Sequence, residues 1–127
     1  MARALFSSRE SVCLKCHVVG DPRHDRTATS PDLLLVADRL KPEWTARWMV
    51  EPQELSPGTA MPAKLFRRAD GRWVFAGRAP AALQGYAKDH AQLFVRYMFQ
   101  LTADEQRRLL RALPASAPRP PTGGRRP

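Results

Sequence analysis

Residues 13–17 read Cys-Leu-Lys-Cys-His. Two thiols separated by two residues, with an imidazole directly after them, can carry three kinds of chemistry. Thiols at this spacing can form thioethers with the two vinyl groups of one haem, and the adjoining histidine is then held against the iron as proximal ligand. The same thiols could cycle between dithiol and disulfide, but redox CxxC sites usually accompany a βαβ pattern, which does not show in this sequence. A structural zinc ion needs four ligands. Cys13, Cys16, His24 and His90 supply them by type, yet no second compact ligand pair complements the first. One covalent haem c on Cys13 and Cys16, with His17 on its iron, is the leading expectation, and a haem-free zinc-binding module is kept as an alternative.

A haem that carries electrons usually has a second axial ligand, often a methionine thioether. The chain has four methionines. Met1 is terminal, and Met49 and Met98 stand beside aromatic residues in helical segments, where packing is their default role. Met61 differs, because it lies in Pro57-Gly-Thr-Ala-Met-Pro62, a segment stiffened by proline and without helical periodicity. On its own that setting leaves packing and ligation evenly matched; with the CxxCH sequence upstream, ligation is expected. His24, in the polar run Asp-Pro-Arg-His-Asp, reads as a surface histidine, and His90 as exposed or at a helix cap.

The elements that must position these residues read as all-helical with long loops. Residues 2–8 form a short helix presenting Leu5 and Phe6. Asp32 is a good N-cap for residues 33–40, with Leu33, Val36, Ala37 and Leu40 on one side. Pro42 opens the next helix, which Pro52 stops, and Trp44 and Trp48 share one face of it as core residues. Residues 53–62 read as a loop. Within 66–86, Asp70-Gly71 signals a turn and Trp73-Val74-Phe75 a short extended piece. Residues 89–101 form a helix with Leu93, Phe94, Tyr97, Met98 and Leu101 as its apolar stripe. Thr102-Ala-Asp-Glu105 is a capping box for a last helix, ended by Pro114. The domain is thus expected over residues 1–113, followed by a flexible Pro/Arg-rich tail over 114–127.

Charge and hydropathy narrow the function classes. The net charge is +9; residues 1–102 carry 15 basic and 10 acidic side chains, and residues 103–127 carry six and two. Such an excess favours an anionic partner without choosing one. The aromatic-and-basic pattern of an RNA-binding sheet and the spacing of a zinc finger are both missing, which argues against nucleic acid. No apolar run approaches 18 residues, so no transmembrane segment is expected. The opening MARALFSSRESVC has no long apolar stretch and does not read as an export signal.

Taken in order, several segments resemble the small class I cytochromes c. They are Cys13-Leu-Lys-Cys-His17, Ser30-Pro31-Asp32-Leu33, Arg39-Leu-Lys-Pro-Glu-Trp44, Pro57-Gly-Thr-Ala-Met-Pro62 and Leu93-Phe-Val-Arg-Tyr97. The stretch Pro80-Ala-Ala-Leu-Gln-Gly85 also resembles cytochrome domains of larger bacterial respiratory proteins. The resemblance implies a small cytochrome c fold wrapped around one haem. It implies thioethers at Cys13 and Cys16, His17 and Met61 as axial pair, and the Pro31 carbonyl as acceptor from the other ring nitrogen of His17. It further implies that the first helix crosses the helix of Tyr97 near Phe6.

With both axial positions filled, such a chain moves single electrons and is not itself an enzyme. Neutral ligands and an apolar shell favour a positive reduction potential. An open sixth position would make it a haem enzyme or gas sensor instead. Lys15, Lys64, Arg67, Arg68, Arg72 and Arg78 suggest a basic rim that steers an acidic redox partner, and Arg39 and Arg47 are candidates to neutralise haem propionates. Covalent haem attachment of this kind is extracytoplasmic, so a periplasmic or equivalent location is expected. Because no export signal is visible, the chain is expected to be a fragment or to serve a larger respiratory or other redox complex.

Overall fold

The computed structural model describes residues 1–7, 13–17 and 30–112. The tail expected over 114–127, and His24, lie outside the described residues. In chain order the elements are α1 (Ala2–Phe6), α2 (Cys13–Cys16), a 3-10 turn (Leu33–Leu35), α3 (Val36–Arg39), α4 (Pro42–Val50), α5 (Pro52–Leu55), β1 (Phe66–Ala69), β2 (Arg72–Phe75), a second 3-10 turn (Ala81–Leu83), α6 (His90–Phe99) and α7 (Ala103–Ala112).

The two strands correct the all-α expectation, and with it the small all-helical cytochrome c fold. β1 and β2 pair antiparallel, with Phe66 opposite Phe75, Arg67 opposite Val74, Arg68 opposite Trp73 and Ala69 opposite Arg72. The cause is local and tertiary together. Asp70 and Gly71 both take positive φ, +49° and +74°, as a two-residue hairpin turn matched to strand twist requires. The pairing then puts Phe66 and Phe75 on one face, where both are buried and ring-pack on Phe94 of α6, at 5.6 Å and 6.5 Å. The fold is therefore helical with an antiparallel hairpin laid on its central helix.

That central helix is α6, which packs against α1, α3, α4 and β2. Asp89 caps it, one carboxylate oxygen accepting from the Gln92 N–H at 2.9 Å, a bond that satisfies one of the orphan donors of a helix start. Ala91, Phe94, Val95 and Met98 are buried along it. α1 crosses it through Phe6, whose ring stands 5.0 Å from that of Phe94 and 5.3 Å from that of Tyr97. Leu5 and Phe6 are both fully enclosed, so this five-residue helix, too short to persist alone, is held by burial.

A three-residue ionic contact adds to this. Arg3 grips the Glu105 carboxylate with two N–H groups, at 2.6 and 2.7 Å, and the Tyr97 hydroxyl donates to the same carboxylate at 2.9 Å. Glu105 was expected to complete a capping box. Its backbone N–H does donate to Thr102 Oγ1 at 3.2 Å, but its side chain serves Arg3 and Tyr97, because a guanidinium offers a carboxylate two charge-assisted bonds.

Several segments differ from the sequence reading. Residues 33–40 are not one helix. Asp32 accepts from the Leu34 N–H at 2.9 Å and starts a 3-10 turn, which passes into the single turn of α3. Leu33 and Val36 are buried there, whereas Ala37 and Leu40 are exposed. Pro52 stops α4 and also opens α5, since proline at the first helical position gives up no hydrogen bond. On α4 the core positions are Thr45 and Met49, not the two tryptophans. Trp44 is 41% exposed and lies stacked on Trp48, ring centroids 5.3 Å apart.

Candidate functional site

The CxxCH sequence forms the single turn α2. Residues three apart share a helical face, so Cys13 and Cys16 occupy one side of the turn. No disulfide joins them; Cys13 is half-buried against the core and Cys16 is exposed. The turn is closed by the His17 backbone N–H, which donates to the Cys13 carbonyl at 2.9 Å.

The His17 ring leaves this turn towards Pro31. Its Nδ1 lies 2.7 Å from the Pro31 carbonyl oxygen. A carbonyl only accepts, so Nδ1 carries the proton and Nε2 of the neutral ring keeps its lone pair. Metal-bound histidines are oriented in this way, the second nitrogen donating to a carbonyl or carboxylate. The contact also ties the CxxCH turn to the segment that continues through Asp32 into the 3-10 turn and α3. Large apolar side chains follow on that segment with more than a third of their surface exposed: Leu35 at 38%, Leu40 at 37%, and then Trp44.

Met61 is held separately, in the loop after α5. Its backbone N–H donates to Thr59 Oγ1 at 3.2 Å. Thr59 N–H donates to the Ser56 carbonyl at 3.1 Å. Gly58, at φ +83°, takes the left-handed conformation that a side chain would strain. Gln53 of α5 reaches across, accepting from Gly58 N–H at 3.0 Å and donating to the Thr59 carbonyl at 2.8 Å. Met61 itself is partly buried. Met49 and Met98, read as packing residues, are both buried in the core.

The residue set of the structure fits a c-type haem by its chemistry. It offers two thiols on one turn, an imidazole whose Nδ1 is engaged by a carbonyl while Nε2 keeps its lone pair, and a thioether in a hydrogen-bonded loop. Among the described residues no group of three or more His, Cys, Asp or Glu side chains is gathered to hold a metal ion.

His90, one of the four residues of the zinc alternative, is otherwise engaged. It was expected to be exposed or at a cap, but it is buried. Its Nδ1 accepts from the Phe75 N–H at 3.0 Å, and its Nε2 faces the Tyr86 carbonyl at 3.2 Å. Asp89 beside it accepts from the Trp73 N–H at 2.9 Å. Trp73 and Phe75 are alternate residues of β2, whose free edge would otherwise bury unpaired N–H groups. The first side chains of α6 therefore close the hairpin's open edge. The sequence reading missed this role, and its only local signal was a polar pair at a helix start beside a strand.

The basic residues after the Met61 loop lie on and around the hairpin. Lys64, Arg67, Arg68 and Arg78 are exposed. Arg68 sits over the Trp73 ring, 5.0 Å from its centroid, and Arg72 lies 3.6 Å from Asp70. Arg39 and Arg47 are likewise exposed. The Lys15 side chain lies outside what the structure describes.

Away from this region, the Arg3–Glu105–Tyr97 contact shifts the chemistry of its members. Arg3 holds the Glu105 carboxyl below its ordinary range. Burial, reinforced by the bond to Glu105, pushes the Tyr97 phenol up. None of the three adjoins the CxxCH turn in sequence. No helix among the described residues is long and apolar enough to cross a membrane. In comparisons with known proteins, the chain matches no family model, no curated protein and no solved structure.

Proposed function

We propose that the chain is a one-electron carrier that holds a single haem c. The observation that carries this reading is the hydrogen bond from His17 Nδ1 to the Pro31 carbonyl, within a turn that already bears Cys13 and Cys16. It leaves Nε2 as the basic atom of a histidine fixed beside two thiols, the arrangement that haem attachment needs. A haem c supplies reversible one-electron chemistry at its iron. In this reading Cys13 and Cys16 would anchor the group as thioethers, and His17 Nε2 and the Met61 sulfur would hold its iron. Neutral imidazole and thioether ligands would disfavour the extra charge of the ferric state and so raise the potential.

With both His17 and Met61 on the iron, the group would offer no open position for a substrate, and the chemistry it would supply is the exchange of one electron with protein partners. The exposed Lys64, Arg67, Arg68 and Arg78 favour a partner with an acidic docking face. Their effect is on encounter rate, and it weakens as salt rises. The attachment chemistry points to an extracytoplasmic compartment and the service of a larger redox assembly.

The test is a pyridine haemochrome spectrum of the protein made in cells able to attach haem, beside Cys13→Ala and Cys16→Ala. The expected result is one covalent haem in the parent, with attachment impaired in each variant. A parent chain that emerges without covalent haem and with bound zinc by metal analysis would overturn the proposal. Carbon monoxide binding at neutral pH without denaturant would point instead to an open sixth position.

A further inference from the structure

We infer that Gln53 is the positioning residue that presents Met61 to the iron, an inference that rests on the haem reading above. Gln53 projects from α5, a single turn opened by Pro52, and it is exposed. Its amide nonetheless turns both of its polar atoms onto the backbone of the Met61 loop, Oε1 to the Gly58 N–H and Nε2 to the Thr59 carbonyl. From there Thr59 Oγ1 takes the Met61 N–H. A continuous series of hydrogen bonds thus runs from the helix, through Gln53, to the residue whose sulfur is at issue.

The loop needs such a device. Between Ser56 and Leu65 it has no helix or strand, and Gly58 widens the backbone choices there. A ligand on an unordered loop binds weakly, because ordering the loop must be paid for when the bond forms. A primary amide suits the task, since it donates and accepts at once without charge. Glutamate keeps the acceptor for Gly58 N–H but sets a carboxylate against the Thr59 carbonyl, and alanine offers neither.

The experiment compares holoprotein of the parent chain with Gln53→Ala, Gln53→Glu and Met61→Ala. Each is followed by haemochrome, far-ultraviolet circular dichroism, and the weak red charge-transfer band of thioether-ligated ferric haem during an alkaline titration. Covalent haem and helix content should be unchanged in both Gln53 variants, because the residue is exposed and distant in sequence from the CxxCH turn. Loss of the two bonds should weaken Met61 ligation about tenfold, so the band disappears about one pH unit lower than in the parent. Gln53→Glu should lose the band at least as early as Gln53→Ala, because its carboxylate faces the Thr59 carbonyl across the whole alkaline range; a merely structural role does not move this pH profile while haem and helix content stay constant. Met61→Ala should lack the band at every pH. If the parent and Gln53→Ala lose the band at the same pH, the role of Gln53 is overturned and the haem reading stands. If the parent has no covalent haem or no such band, the haem reading or its Met61 ligand fails, and the role of Gln53 falls with it.

Discussion

The Nδ1 of His17 stands 2.7 Å from the carbonyl oxygen of Pro31. The bond sets the tautomer of the ring and leaves the opposite nitrogen with its lone pair, as outer partners of metal-bound histidines do. Proline contributes by holding its own φ near one value, so the carbonyl is presented by a stiff segment. In Pro31→Gly the carbonyl remains but its direction is loosened. With haem attached, an imidazole whose Nδ1–H is less firmly held by its carbonyl donates less electron density and stabilises ferric iron less, so the midpoint potential should rise while the haemochrome stays intact. A spectroelectrochemical titration reads both, and an unchanged or lowered potential would count against a role for this bond in tuning the iron.

Glu105 makes stability depend on acid. Arg3 holds its carboxyl below the ordinary value of 4.5. A group whose value is lowered on folding contributes stability above its unfolded value and loses it as pH falls through the folded one. The chain should therefore weaken progressively below about pH 4.5, and Glu105→Gln should flatten that part of the profile. Denaturant titrations of parent and variant across this range check the slope. Equal slopes would show that other carboxyl groups dominate acid unfolding.

His90 seals the edge of β2. Removing its ring in His90→Ala leaves the buried Phe75 N–H without its acceptor, and an unsatisfied buried donor costs about 1–3 kcal/mol. Chemical denaturation should show a loss of that size. The variant should keep covalent haem if His17 and not His90 serves the iron. Loss of the haem signal in His90→Ala, with the fold retained, would reassign a ligand.

Local chemistry was readable from residue order wherever a feature is closed within a few positions. The Asp32 cap, the proline-opened α4, the Asp70-Gly71 turn and the apolar residues of α1 are of this kind. Each depends on φ preferences or on a side chain reaching its own backbone two or three residues away. The same holds for the CxxCH turn, whose thiols and imidazole are neighbours by spacing alone. The contact between Phe6 and Tyr97 joins helices far apart in the chain, and it is one that the family resemblance implied.

Other features were not readable, because they depend on which distant surface arrives. The periodicity of α4 is equally consistent with burying Trp44 and Trp48 or Thr45 and Met49. Contact with α6 decides for the second pair and leaves the tryptophans stacked at the surface. The extended piece at Trp73–Phe75 became half of a hairpin only because Phe66 and Phe75 together find the Phe94 ring, and because Asp89 and His90 take up the N–H groups of the open edge. Glu105 left its expected cap for Arg3, a residue 102 positions away.

The CxxCH turn illustrates the division most closely. Residue types and spacing alone determined that two thiols and an imidazole stand on one helical turn, since their proximity is a matter of a few bonds. Tertiary structure decided which nitrogen of His17 keeps its lone pair, because a tautomer is set by the partner that approaches the ring, and here the fold brings in Pro31, 14 positions away.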